Sequence, residues 1–190
     1  MSKKILLINN YTNRIKDIKN LFDSTQLEVI ELKEFSYGKH YSKYSGFVLS
    51  GGSKFSLLEY EEMYSEVISL VEQSVKPILG ISLGFEIIGY TFDETLEKAV
   101  GFGSGIRQIK VKDKEDVLFK DVSSDFVAAE AHKWFFSGLK NLKILATSQR
   151  GVEIAKHPDK PIYGLQFHPE IDIGDHNSKK IIENWVGLLK

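Results

Sequence analysis

The chain has no cysteine among its 190 residues, which excludes disulfide cross-links, thiolate metal sites and any cysteine nucleophile. Neither sign of charge is in excess. The 25 basic and 26 acidic residues leave a formal net charge of −1, so there is no electrostatic footprint for nucleic acid or an anionic membrane. No apolar run reaches membrane-spanning length, and Lys4 to Asn9 is too short and too soon interrupted for a secretory signal. These absences together point to the cytoplasm. Internal repeats, linkers and low-complexity stretches are also lacking. What remains has the length and composition of one globular domain over residues 1–190, with room for a sizeable core.

What is present alternates between two periods. Lys4-Ile5-Leu6-Leu7-Ile8-Asn9 reads as a buried strand, and Ile15, Ile18 and Phe22 mark the inner face of a helix ending near Ser24. Leu27 to Leu32 is a second strand, Lys33 to Ser45 a polar and aromatic loop, and Gly46 to Ser50 a third strand opening into Gly51-Gly52. Tyr60, Met63, Tyr64, Val67, Ile68 and Val71 give the clearest helical pattern, which Pro77 stops before the strand Ile78 to Ile81. Strands and helices alternating at this spacing predict a parallel sheet with right-handed crossovers. The second half is different: Ile106–Val111, Phe126–Ala129, Lys143–Thr147 and Val152–Ala155 are short, strand-like and separated by turn residues. They predict a small antiparallel segment. Ile162 to Phe167 is a further buried strand, and a last helix capped at Asn177 or Ser178 buries Ile181, Ile182, Trp185, Val186 and Leu189.

Three strand ends carry residues with chemistry, at the edge of the sheet where open parallel sheets bind ligands. Gly80-Ile81-Ser82-Leu83-Gly84 has the grammar of a nucleophile elbow, a strand turning sharply into a helix with a glycine on either side of the hydroxyl. Gly51-Gly52 offers bare backbone N–H groups for an oxyanion. His168-Pro169-Glu170 places an imidazole and a carboxylate two residues apart, so both point to one face of an extended segment. Ser82 as nucleophile, His168 as base and Glu170 as its orienting partner make a triad.

Ser50-Gly51-Gly52, Gly80 to Gly84 and Gly164-Leu165-Gln166-Phe167-His168-Pro169-Glu170 resemble the class I glutamine amidotransferases in order and spacing, over essentially the whole chain. Lys160 to Glu170 and Leu118-Phe119-Lys120 look most like the separate glutaminase subunit of archaeal GMP synthase. The resemblance implies a flavodoxin-like α/β fold, with an open, mostly parallel sheet between helices on both faces. It also implies glutamine or a related small molecule as ligand, no cofactor, and a synthetase of the ATP-pyrophosphatase type as partner. In that family a cysteine at the elbow attacks the glutamine amide. By position its role falls to Ser82, activation to His168 and Glu170, the oxyanion N–H groups to Gly52 and Leu83, and a substrate contact to Glu86.

The departures from the family pattern carry information of their own. Serine replaces the cysteine, and an alcohol is far less acidic than a thiol with a pKa near 8.5. Glu86 stands where glutamine is usual, and an ionised carboxylate there repels an anionic amino acid unless it is protonated or paired. Tyr90-Thr91-Phe92-Asp93 replaces the usual glycine pair, and Ala131-His132-Lys133-Trp134 keeps the histidine of the partner-facing motif but not its aspartate. Three readings stay open: a non-hydrolysing homologue that binds a partner or ligand, a working or engineered glutaminase, and a serine hydrolase using Ser82, His168 and Glu170.

The remaining signals are weaker. Gly101 to Gly105 lacks the lysine of a phosphate loop and reads as a glycine-rich turn. The histidines other than His168 are dispersed without metal-ligand spacing, so no metal site is expected. Phe35, Tyr37, Tyr41 and Tyr44 are expected to pack on the sheet edge, with a lid or partner surface as the other reading. Lys112 to Asp116 is expected to be a solvated hairpin turn.

Overall fold

The computed structural model describes residues 3–22 and 25–190, and only the backbone of residues 100–102. Its frame is one nine-stranded sheet. Five strands are parallel and lie side by side in the order β2 (Gln26–Glu31), β1 (Lys4–Asn9), β3 (Gly46–Leu49), β4 (Ile78–Ile81) and β9 (Ile162–Leu165). Four antiparallel strands extend it beyond β9: β8 (Gly151–Lys156), β7 (Lys143–Ser148), β5 (Glu97–Val111) and β6 (Asp125–Phe135). The fold class expected from the sequence is therefore the one observed.

Period-two alternation within an apolar run explains why the central strands are buried on both sides. Ile5 and Leu7 of β1 join Val48, Leu79, Ile81, Ile18 and Trp185 in one core, on the face covered by α1 (Ile15–Asn20) and α5 (Asn177–Gly187). Leu6 and Ile8 face the other way, with Phe47, Leu49, Ile78, Leu70, Phe85 and Ile88. There they meet α3 (Ser65–Gln73) and α4 (Leu83–Thr91).

Several details differ from the sequence reading. The expected end of α1 near Ser24 lies outside the described residues. The segment 33–45 is not all loop: α2 (Tyr37–His40) sits between two 3-10 turns. No periodic face announces it, because its anchor is remote. Lys76 Nζ donates to the carbonyls of Tyr41 and Tyr44, each at 2.7 Å. The aromatics pack, as expected, though Tyr41 stacks on Phe47 in the middle of the sheet (ring centroids 5.7 Å apart). The helix expected from Tyr60 begins only at Ser65, and Glu61–Tyr64 is a 3-10 turn leaving Tyr60 and Met63 exposed. Tyr64 ties that turn down by donating its hydroxyl to the Phe55 carbonyl at 2.9 Å.

In the second half the four antiparallel strands are longer than predicted, whereas β9 stops at Leu165 instead of Phe167. The glycine-rich stretch 101–105 runs inside β5, where the pairing with β6 slips between Lys98 and Gly103. Glycines are the residues that tolerate such a slip. Asp116 is buried rather than solvated, accepting from Lys156 Nζ at 2.6 Å and the Leu118 amide at 3.1 Å. His176, rather than Asn177 or Ser178, occupies the N-cap position of α5 without a side-chain bond, and Asp175 Oδ1 accepts from the Asn177 amide at 2.8 Å. The β5–β6 ribbon curls over the sheet: β5 pairs with β7 at only Lys110–Thr147 and Val111–Ala146, and β6 comes back to the end of β9, where the Ala129 carbonyl accepts from the His168 amide. No described helix is long and apolar enough to cross a membrane.

Candidate active site

Ser82 stands between β4 and α4 with φ 51° and ψ −109°, a conformation that L-residues avoid. Such a backbone costs about 1–3 kcal/mol and persists only where its surroundings enforce it. Three contacts enforce it. The Ser82 amide donates to the Leu165 carbonyl at 2.7 Å, and its own carbonyl accepts from the amides of Phe85 (2.8 Å) and Glu86 (3.0 Å). The flanking glycines make the turn sterically feasible. A Cβ on Gly80 would lie 2.5 Å from the Gly84 backbone, and one on Gly84 would lie 2.3 Å from the Leu49 carbonyl oxygen. The Ser82 hydroxyl does not cap the helix. Leu83 is the first residue of α4, so its N–H has no acceptor within the helix and points outward with the positive end of the helix dipole.

His168 and Glu170 follow β9. His168 Nδ1 and Glu170 Oε1 are 2.7 Å apart, and the carboxylate is buried. The carboxylate fixes Nδ1 as the protonated nitrogen and leaves Nε2 as the base. Nε2 is itself buried, with no hydrogen-bond partner among the described residues, so it does not hold the Ser82 hydroxyl. The two side chains meet over Gly51, where a Cβ would lie 3.3 Å from His168 Cε1 and 3.4 Å from Ser82 Cβ. The Gly51-Gly52 turn is pinned by Asn10, which donates its backbone N–H to the Ser50 hydroxyl (2.8 Å) and its side-chain amide to the Ser50 carbonyl (2.7 Å). At Gly52 the chain passes so close to Asn10 that a Cβ would stand 2.0 Å from its carbonyl oxygen. The structure thus brings Ser82, His168, Glu170, Gly51, Gly52, Leu83 and Glu86 to one end of the sheet.

A cavity of about 100 Å³ opens beside Ser82. Gly52, Ser82, Leu83 and Glu86 line it, together with Phe55, His132, Lys133 and Trp134. In the sequence, residues 131–134 stand out only as a departure at a partner surface, and their place in this wall depends on the curl of the β5–β6 ribbon. Small-molecule sites usually measure about 300–1,000 Å³, so this one is constricted. Glu86 is buried, and burial pushes its carboxyl up to about 8, against the amide of Gln166 beside it, which pulls it down. At neutral pH it is therefore the uncharged acid, able both to donate and to accept as a glutamine amide does, with one donor hydrogen fewer. The repulsion expected of an ionised carboxylate there is absent below that pH.

His132 of the cavity wall is buried together with Glu130 and Glu153, which do not line the cavity. Burial and the adjacent Glu130 carboxylate hold Glu153 well above the ordinary carboxylate value. Burial raises Glu130, but the neighbouring His132, Glu153 and Arg107 together outweigh it and leave that group below its ordinary value.

Comparison with known proteins gives a consistent outcome. The family model for class I glutamine amidotransferases matches residues 6–187. The A subunit of the glutamine-hydrolysing GMP synthase of Methanococcus aeolicus is 38% identical over 149 residues, covering 76% of this chain and 75% of the relative. The corresponding subunit from Methanocaldococcus jannaschii is 31% identical, covering 95% of each chain. Among solved structures, a Thermoplasma acidophilum protein provisionally assigned as the A subunit of a GMP synthase superposes with a TM-score of 0.85 at 23% identity, covering 99% of this chain and 94% of the other. A glutamine amidotransferase from Thermotoga maritima gives a TM-score of 0.74 at 18% identity, over 96% and 82% of the two chains. At these identities the structural matches speak for the fold.

Proposed function

The chain belongs to the class I glutamine amidotransferase family, and from that premise we propose that it is a glutaminase-like subunit with impaired glutamine hydrolysis, serving chiefly to bind a synthetase of the GMP synthase type. The observation that carries this reading is the pairing of an assembled dyad with a weak nucleophile. His168 and Glu170 are set for proton transfer at 2.7 Å, yet the group they would activate is the Ser82 hydroxyl, and His168 Nε2 does not hold it. A thiol needs only to ionise beside the imidazole, whereas an alcohol must lose its proton as it attacks, which demands a hydrogen bond to the base. The constricted cavity supports the same reading. Glutamine would need more room than this cavity, lined in part by Lys133 and Trp134, provides beside Ser82.

Glu86 supports a retained binding function. As a neutral acid it can still donate and accept hydrogen bonds at the site of the amide that the family resemblance implies. The ligand is glutamine or a related amino acid amide, and the partner is an ATP-pyrophosphatase-type synthetase. The serine-hydrolase reading is less favoured, because the hydrogen bond it depends on is missing.

Ammonia release from glutamine, measured with and without the ATP-pyrophosphatase component of GMP synthase, tests the proposal. The wild-type chain should release little, and Ser82→Cys should raise the rate at least tenfold. Wild-type turnover equal to that of Ser82→Cys would overturn the loss of activity. Labelling of Ser82 by a fluorophosphonate would favour the hydrolase reading instead.

A further inference from the structure

The buried cluster that includes His132 has a geometry that its own groups do not satisfy. Glu130 and His132 are two residues apart on β6 and face the same way, and Glu153 meets them from β8. The curl of the β5–β6 ribbon closes that gap, since β6 and β8 are not neighbours in the sheet. All three side chains are more than nine-tenths buried: Glu130 is 2% exposed, His132 3% and Glu153 1%. Each presents one atom without a hydrogen-bond partner among the described residues, namely Glu130 Oε2, His132 Nε2 and Glu153 Oε2.

The tautomer of His132 sharpens the mismatch. Its Nδ1 lies 2.8 Å from the Trp134 carbonyl, which can only accept, so Nδ1 carries a proton. In the neutral ring Nε2 is then a bare lone pair, and it faces Glu130 Oε2 at 3.6 Å. A lone pair against a carboxylate oxygen is repulsive unless something positive lies between them. An imidazole anchored through its far nitrogen to a backbone carbonyl is also the usual posture of a metal-ligating histidine. One ligand atom from each residue falls within a sphere of contact no wider than 4.8 Å. Zinc bonds of about 2.0–2.2 Å place tetrahedral ligands roughly 3.4 Å apart, so a modest contraction completes the set. Ser148 supplies an outer contact, donating its hydroxyl to Glu153 Oε1 at 2.6 Å.

We propose that Glu130, His132 and Glu153 form a binding site for one divalent transition-metal cation, with zinc suited to the mixed imidazole and carboxylate ligands. Ser148 and Arg107, which touch Glu153 and Glu130, also line a neighbouring groove together with Arg150. Arg107 Nε already lies 3.6 Å from Glu130 Oε2, so a cation competes with the guanidinium for that oxygen. The position gives the site a role. Metal there clamps β6 to β8, and with it the Trp134 and His132 wall of the cavity, so occupancy would set how far that wall can open.

The test is zinc titration of the chelator-treated chain, followed calorimetrically, with cobalt(II) absorption to report the ligands. The expected result is one zinc per chain, a rise in Tm of about 5 °C at zinc a hundredfold above Kd, and a d–d spectrum of low-coordinate N/O type. Glu130→Gln and Glu153→Gln, which keep shape and burial, should each weaken binding at least tenfold. A wild-type chain that takes up no stoichiometric zinc overturns the proposal, whatever the variants do. Equal affinity in wild type and Glu130→Gln overturns it as well, by placing the metal on surface histidines.

Discussion

Glu86→Gln should leave stability unchanged at pH 4 and raise it by nearly 5 kcal/mol, on the order of the full linkage limit, at pH 9. Burial puts the Glu86 carboxyl at about 8 in the folded chain, against an ordinary value of 4.5. Below pH 4.5 both the folded and unfolded chains hold the proton, and the residue adds no pH dependence. Between 4.5 and about 8 the unfolded chain releases the proton while the folded chain keeps it, so stability falls as pH rises. Above 8 the folded carboxylate ionises too, and the loss levels off. At roughly 1.4 kcal/mol for each pH unit between the two values, the limit approaches 5 kcal/mol. Glutamine has the same shape and no proton to lose. Urea denaturation of both proteins at pH 4, 7 and 9 measures the gap. A gap that does not widen with pH would show that Glu86 is not a buried acid.

Gly84→Ala should destabilise the chain by about 2–3 kcal/mol, although alanine is the better helix former. Relief of the glycine in α4 is worth about 1 kcal/mol. Against it, the new Cβ would stand 2.3 Å from the Leu49 carbonyl oxygen and 2.8 Å from Leu49 Cβ. Overpacking of this kind costs about 1–3 kcal/mol, and more when the neighbour cannot yield. Leu49 cannot readily yield, because β3 is clamped between β1 and β4, with Leu49 opposite Ile8 and Gly80. Gly187→Ala is the matching control. It sits at the end of α5 with nothing within 4 Å of its Cβ, and should be neutral or slightly stabilising. Chemical denaturation of the two variants side by side decides the matter, and a Gly84→Ala protein as stable as wild type would mean that α4 can lift away from the sheet.

Much of the fold is legible in the sequence, for a physical reason. Strands buried on both faces, such as Lys4–Asn9, write themselves as unbroken apolar runs, and the elbow writes itself in its glycines. Features held by remote contacts are not written locally. The helix Tyr37–His40 depends on Lys76, and the upper half of β6, from Glu130 to Phe135, reads as polar and irregular because it lies in a curled ribbon. The same holds at the site. Ser82, His168 and Glu170 can be picked out because each ends a strand. The protonation of Glu86 follows from burial, a property of the packed chain. Glu130, His132 and Glu153 have no ligand-like spacing, and only the return of β6 toward β8 brings them together.

The hydrogen bond that returns β6 to the end of β9 ties the two halves of the molecule mechanically. The His168 amide donates to the Ala129 carbonyl at 2.8 Å, while the Ser82 amide donates to the Leu165 carbonyl at 2.7 Å. The His168 backbone is therefore tied to the ribbon as well as to β9, whereas the Ser82 amide is held by the parallel sheet. The ribbon itself is hinged to β7 at only two residue pairs. A tilt of the ribbon would pull on the His168 backbone, so the setting of the reactive pair depends on the posture of this β-arm as well as on the parallel sheet.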